Sequence, residues 1–281
     1  MLEESINIGR ANLNVARSAD SGPPLLPLLM WHGLVRSWRD FSTLLPALTP
    51  RYAVAAVDHR GHGKSSRAPG EYRVTDYVAD GIAIVRSGVR GPAILYGHSL
   101  GALTAIGAAA ECPHQVRAVI LEDPPSASMM ANIAETNYGI TWRAMRGLAG
   151  NTDVAATSRT LSSIRLIDGR LLGAVRDAAA IRFLASCLVD LDPGVLAPPL
   201  DGTWFDGFDL RETATRVRCP VLLLASDPAL GGMLRARDAD ALAEALPDCY
   251  RVDFPGRGHL LHGEHPEAVL KVLLPFLESL R

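Results

Sequence analysis

What the chain lacks narrows its function before any motif is read. Lysine is scarce, with only Lys64 and Lys271 in 281 residues, and no Lys/Arg run occurs. Acids and bases are interspersed at a net charge of -2. Neither a nucleic-acid footprint nor a charged membrane-surface patch is expected. The four cysteines, Cys112, Cys187, Cys219 and Cys249, form no C-x-x-C pair and have no histidine at zinc spacing. They read as scattered small apolar residues of a reducing compartment. The apolar run 25–31 is too short to span a bilayer and holds Pro27, so it reads as a buried strand. The opening Met1-Leu2-Glu3-Glu4 has neither the basic nor the apolar part of a leader, and a cytoplasmic protein is expected. The histidines show no H-E-x-x-H pattern and no compact ligand cluster, so no metal is expected. Gly61-His62-Gly63-Lys64-Ser65 ends like a phosphate loop but lacks its first glycine, and reads as a glycine-rich turn.

What is present is a large apolar fraction, 48% of residues, in a strand–helix rhythm. Residues 6–16 alternate as an edge strand or hairpin, and Gly22-Pro23-Pro24 marks a turn. Strands are expected at 25–31, 52–57, 93–96, 116–121, 219–225 and 250–254. Helices fall between them at 38–48, 74–87, 102–111 and 236–246, with 266–280 closing the chain. That alternation implies an α/β fold with a mostly parallel sheet covered on both faces, its chemistry at the carboxyl ends of the strands. From 126 to 213 no strand run appears, and helical patterns at 138–148, 153–166 and 171–190 replace the rhythm. The chain therefore divides into a core, 1–125 with 214–281, and an inserted helical cap, 126–213.

One pentapeptide carries the chemistry. Gly97-His98-Ser99-Leu100-Gly101 follows an apolar strand and opens an Ala-rich helix. A G-x-S-x-G in that position forms a nucleophile elbow: the glycines remove Cβ atoms where strand and helix approach, and the serine oxygen is lifted beside a helix N-terminus. A serine needs a base, and the base an orienting acid. His259, in the glycine-flexed loop after the last strand, is the leading base, ahead of His262 and His265. Asp227, after strand 219–225, is the leading acid, and Asp123, after strand 116–121, is its rival. The amides of Leu34 and Leu100 are candidates for the oxyanion hole. His98 reads as orientation support. Trp142 and Trp204 are candidate substrate contacts within an aromatic-bearing cap, whose apolar residues would suit a small-molecule pocket.

With His32-Gly33-Leu34, the loop 58–65, the elbow, the Asp227 loop and Gly258-His259, the chain resembles the α/β-hydrolase superfamily. The resemblance implies an eight-stranded, mostly parallel sheet, a lid after the sixth strand, and cofactor-independent catalysis by Ser99, Asp227 and His259. Haloalkane dehalogenases carry a carboxylate where Ser99 stands and are excluded. Many members place the acid in a G-x-x-D pattern, whereas Ala225-Ser226-Asp227-Pro228 places it earlier, which keeps Asp123 open. The expected activity is hydrolysis of an ester, thioester or lactone of a small to medium, largely apolar molecule. Amide or C–C bond hydrolysis and acyl transfer are the alternatives within the class, and a non-catalytic small-molecule binding protein is the alternative outside it. A monomer or homodimer is expected.

Overall fold

The computed structural model describes residues 1–19, 25–87 and 91–280. The expected turn at Gly22-Pro23-Pro24 lies outside the described residues. Eight strands form one sheet: β1 (Leu2–Asn7), β2 (Asn12–Arg17), β3 (Pro27–Trp31), β4 (Ala53–Val57), β5 (Ala93–His98), β6 (Val116–Glu122), β7 (Val221–Ser226) and β8 (Cys249–Phe254). Their spatial order is β1-β2-β4-β3-β5-β6-β7-β8. β1 and β2 form the antiparallel edge hairpin, β2 runs antiparallel to β4, and β3 to β8 are mutually parallel.

The central strands read as unbroken apolar runs because both of their faces are covered. Successive side chains point to opposite faces. Leu29 and Trp31 enter one core with Leu95, Val119, Leu121 and Leu223. Leu28 and Met30 enter the other with Ile94, Tyr96, Ile120 and Leu222. Parallel register pairs Trp31 with Gly97 and Gly97 with Leu121, so the carboxyl ends of β3, β5 and β6 finish together. The loops leaving those ends therefore converge.

Between β6 and β7 the described chain forms helices, the longest being Asn137–Leu148, Val154–Ser162 and Ala178–Val189. The pattern expected at 171–190 divides into Leu172–Val175 and Ala178–Val189, with Asp177 capping the second by accepting from the Ala180 amide at 2.8 Å. The expected helix at 38–48 likewise divides, into a 3₁₀ turn Trp38–Thr43 and a short helix Leu45–Leu48 that begins at a leucine–proline step. The intervening helices share a third apolar core with Leu34, Tyr72, Leu100 and Leu103 of the sheet-bearing part. No helix among the described residues is long and apolar enough to cross a membrane.

Candidate active site

Ser99 stands between β5 and the helix Leu100–Glu111 with φ 54° and ψ -117°. A Cβ at Gly97 would lie 2.0 Å from the Gly101 carbonyl oxygen, and one at Gly101 would lie 2.0 Å from the Trp31 carbonyl oxygen. The two glycines thus let the helix start seat against both β5 and the end of β3. The Ser99 amide donates to the Glu122 carbonyl at 2.9 Å and ties the elbow to β6. Three non-glycine residues among those described have positive φ: Val35, Ser99 and Asp123. Ser99 and Asp123 directly follow β5 and β6, Val35 stands four residues beyond β3, and for a β-branched valine this backbone is a real outlier. Such strain persists where surrounding structure over-determines it.

His259 is met by Asp123, with Nδ1 to Oδ2 at 2.5 Å. Asp123 is fully buried. Its Oδ2 also accepts from the Met233 amide at 2.9 Å, and its Oδ1 accepts from the Ser226 amide at 3.3 Å. The ring of the leading base candidate thus meets the rival acid, Asp123, and not the leading one, Asp227. Asp227 points away from the ring: its Oδ1 accepts from Ala229 N at 2.9 Å and its Oδ2 from Gly256 N at 2.9 Å. Those two amides hold its carboxyl below the usual range. The physical reason lies in the loop after β7. Asp227 caps a 3₁₀ turn, and the loop closes where the Gly232 amide donates to the Asp227 carbonyl at 3.0 Å. That fold-back presents Ser226 N and Met233 N to the neighbouring strand's acid. Asp227 shapes the cradle and Asp123 occupies it.

His98 packs behind His259. Its Nε2–H donates to the His259 carbonyl at 3.1 Å, and the two rings lie 4.6 Å apart. Burial, reinforced by His259, holds His98 far below the ordinary imidazole range, so it is neutral. His262, a lesser candidate for the base, is fully buried against a carboxylate pair. Its Nδ1 lies 2.9 Å from Glu122 Oε1, and its Nε2 lies 3.3 Å from Asp40 Oδ2. Burial alone would lower its pKa, but the two acids outweigh burial and raise it to about 10. Glu122 also accepts from the Tyr96 hydroxyl. Asp40, His98 and His262 bring ligand-type atoms within 4.8 Å of one another.

The loop Asp58–Ser65 proves to be scaffolding for the candidate oxyanion segment. His62 Nε2 accepts from the Val35 amide at 3.2 Å, and Asp58 Oδ1 accepts from the Trp38 amide at 2.7 Å. His32 Nε2 accepts from the His59 amide at 3.1 Å. Burial lowers His32 to about 4 and His62 to about 3, which keeps both as neutral acceptors. Arg60 beneath them is clamped by Asp80 at 2.6 Å through both of that residue's carboxylate oxygens. Sequence reasoning missed these roles, although the density of histidine and glycine at 58–65 is their trace.

A cavity of about 520 Å³ lies over Ser99. Ser99, His98, His259, Gly33 and Leu34 form its floor, while Tyr138, Trp142 and Met145 come from the helical segment. Leu34 lies beside the serine, since a Cβ on its neighbour Gly33 would be 3.2 Å from Ser99 Cβ. Leu100 opens the helix after Ser99, where the first N–H groups lack intrahelical acceptors. Trp142 lines the cavity, and His265 reaches it too. Trp204 is not among the lining residues. It is buried, edge-on to Trp142 with ring centroids 6.4 Å apart, and its carbonyl accepts from Val74 N at 2.9 Å. Its part is to fasten the helical segment to the core.

The strand order, the strained serine elbow and the histidine at the far strand's end agree with a direct match to a family model. The chain belongs to the alpha/beta hydrolase family, whose model matches residues 28–272. It is a hydrolase by that membership. Among its relatives, the 2-(acetamidomethylene)succinate hydrolase of Mesorhizobium japonicum is 31% identical over 289 residues, spanning 99% of this chain and 96% of the relative. A crystal structure of E-2-(acetamidomethylene)succinate hydrolase covers 99% of both chains with a TM-score of 0.78 and 27% identity. The pimeloyl-[acyl-carrier protein] methyl ester esterase of Chromobacterium violaceum is 28% identical, spanning 92% of this chain and 95% of the relative.

Proposed function

We propose that the chain is a cofactor-independent serine hydrolase that cleaves an ester or amide bond of a small molecule, with Ser99 as nucleophile, His259 as base and Asp123 as orienting acid. The observation that carries this reading is the 2.5 Å contact of His259 Nδ1 with the buried Asp123 carboxylate, beside a cavity lined by both His259 and Ser99. Asp123 Oδ2 accepts a hydrogen bond from His259 Nδ1–H, so the Nε2 lone pair is the basic one. That lone pair removes the Ser99 proton as Oγ attacks the carbonyl carbon. The amides of Leu34 and Leu100 hold the resulting oxyanion. His259 returns the proton to the departing alcohol or amine, and water then cleaves the acyl-enzyme through the same base. Residues 126–213 act as a lid that shapes the pocket.

Two relatives, one named for an acetamido-bearing succinate and one for a methyl ester, support a scope that includes both bonds. The test is turnover of paired 4-nitrophenyl acetate and 4-nitroacetanilide by wild type and Ser99→Ala, with intact mass read during turnover. An acetyl adduct on the wild type and none on the variant, with release lost in the variant and its melting curve unchanged, is the expected result. Release by Ser99→Ala at the wild-type rate would exclude this mechanism.

A further inference from the structure

The cavity over Ser99 carries a charge that acyl transfer does not use. Arg36, Arg170 and Arg176 line it, and Glu264 is the one acid among its described lining residues. The arginines come from separate segments. Arg36 stands on the loop after β3, two residues beyond Leu34. Arg170 and Arg176 flank the short helix Leu172–Val175 on the opposite wall.

Arg36 is the most enclosed, with its side chain 14% exposed. Its nearest acid, Asp40, stands 3.5 Å away and is shared with the charged His262. A guanidinium has five N–H donors in a planar fork, so one long contact to a shared acid leaves most of them unengaged. Phe183 lies against it, 5.8 Å from ring centroid to guanidinium carbon. Arg176 is ion-paired with Glu264 and half-buried across the cavity. Tyr138, whose ring is edge-on to His259 at 5.9 Å, lines the same cavity as Arg36 and Arg176. The two cations therefore line the cavity that also holds His259. Enclosed, under-paired charge is costly unless an anion completes it.

We propose that the cavity takes a small acyl compound that also bears a carboxylate, held by Arg36 and Arg176 while its reacting carbonyl lies over Ser99. The proposal rests on the serine-hydrolase reading above and replaces the largely apolar substrate expected from the sequence with an anionic one. Bidentate guanidinium–carboxylate pairing fixes orientation as well as affinity, which suits a site that must aim a carbonyl at one oxygen. Arg170, 65% exposed and paired with Asp168, stands at the rim and raises the local anion concentration there.

The test uses succinate and its neutral isostere succinamide as competitive inhibitors of 4-nitrophenyl acetate turnover. Succinate should bind at least about tenfold more tightly to the wild type, as charge-assisted hydrogen bonds require. Arg36→Gln should bring that ratio close to one, Arg36→Lys should restore part of it, and Arg176→Gln should reduce it severalfold. Arg176→Gln also protects the test if loss of Arg36 disturbs the Asp40 contact. Equal inhibition of the wild type by the two compounds, or an undiminished ratio in both glutamine variants, would overturn the proposal. If the wild type does not turn over the ester, the serine reading fails, and calorimetric titration of the same protein with succinate and succinamide still reads the subsite by the same ratio.

Discussion

Two aspartates end neighbouring strands of the same sheet, and their fates differ completely. Asp123 leaves β6 with φ 45°, is fully buried, and binds His259 and two amides. Asp227 leaves β7 through a capped turn and spends its oxygens on Ala229 N and Gly256 N near the surface. In one dimension each is an acid at a strand end followed by proline. In three dimensions the second builds the amide cradle that the first occupies. A carboxylate becomes an orienting acid through the donors that converge on it, and those donors lie more than a hundred positions away from Asp123 in the chain.

The largest effect follows from neutralising each acid in turn. Asp123→Asn should lower kcat/KM by about 10⁴-fold, because the amide cannot hold the productive tautomer of His259. Asp227→Asn keeps a capping oxygen and should change turnover by less than about threefold. Equal losses in the two variants would erase the distinction. The elbow offers the next break. Gly101→Ala would place a Cβ 2.0 Å from the Trp31 carbonyl oxygen, against backbone that cannot rotate away. Overpacking against rigid structure costs ~3 kcal/mol or more, so melting should fall by several degrees or soluble protein be lost. Circular-dichroism melts decide it, and a wild-type melt from Gly101→Ala would contradict the seating of helix on strand.

A smaller effect concerns pH and the charges behind the site. His262 is raised to about 10, so its ion pairing contributes fully below about pH 6.5 and is lost as pH climbs toward 10. Burial would push Glu122 up, yet His262 outweighs it and lowers Glu122 to about 2. The contribution of Glu122 is present above about pH 4.5 and lost as pH falls toward 2. Melting temperature should thus crest between those limits and decline on the alkaline side. His262→Gln should flatten the alkaline decline. An unchanged alkaline slope in that variant would mean that His262 is not the titrating group.

Much of the fold was legible in the sequence because both-face burial leaves unbroken apolar runs, and helices such as 74–87 carry their period openly. The elbow was legible because its glycines answer contacts only a few residues away or at the end of one neighbouring strand. The proposed acid was not, since Asp123 and Asp227 differ by what folds onto them rather than by local pattern. Trp204 was ambiguous for a related reason: an aromatic in the helical segment suits a pocket or a fastening, and only the packing, which puts Trp142 and not Trp204 on the cavity lining, distinguishes them. The arginines were invisible as a group because their positions, 36, 170 and 176, meet only across the cavity.

The most direct measurement is the rate at which a fluorophosphonate labels wild type, Asp123→Asn and Asp227→Asn, followed by intact-protein mass with the adduct located by peptide mapping. The account predicts a single adduct on Ser99, formed equally fast in wild type and Asp227→Asn and slowed at least a hundredfold in Asp123→Asn. Slow labelling of Asp227→Asn beside wild-type labelling of Asp123→Asn would contradict it and return the acid's role to Asp227.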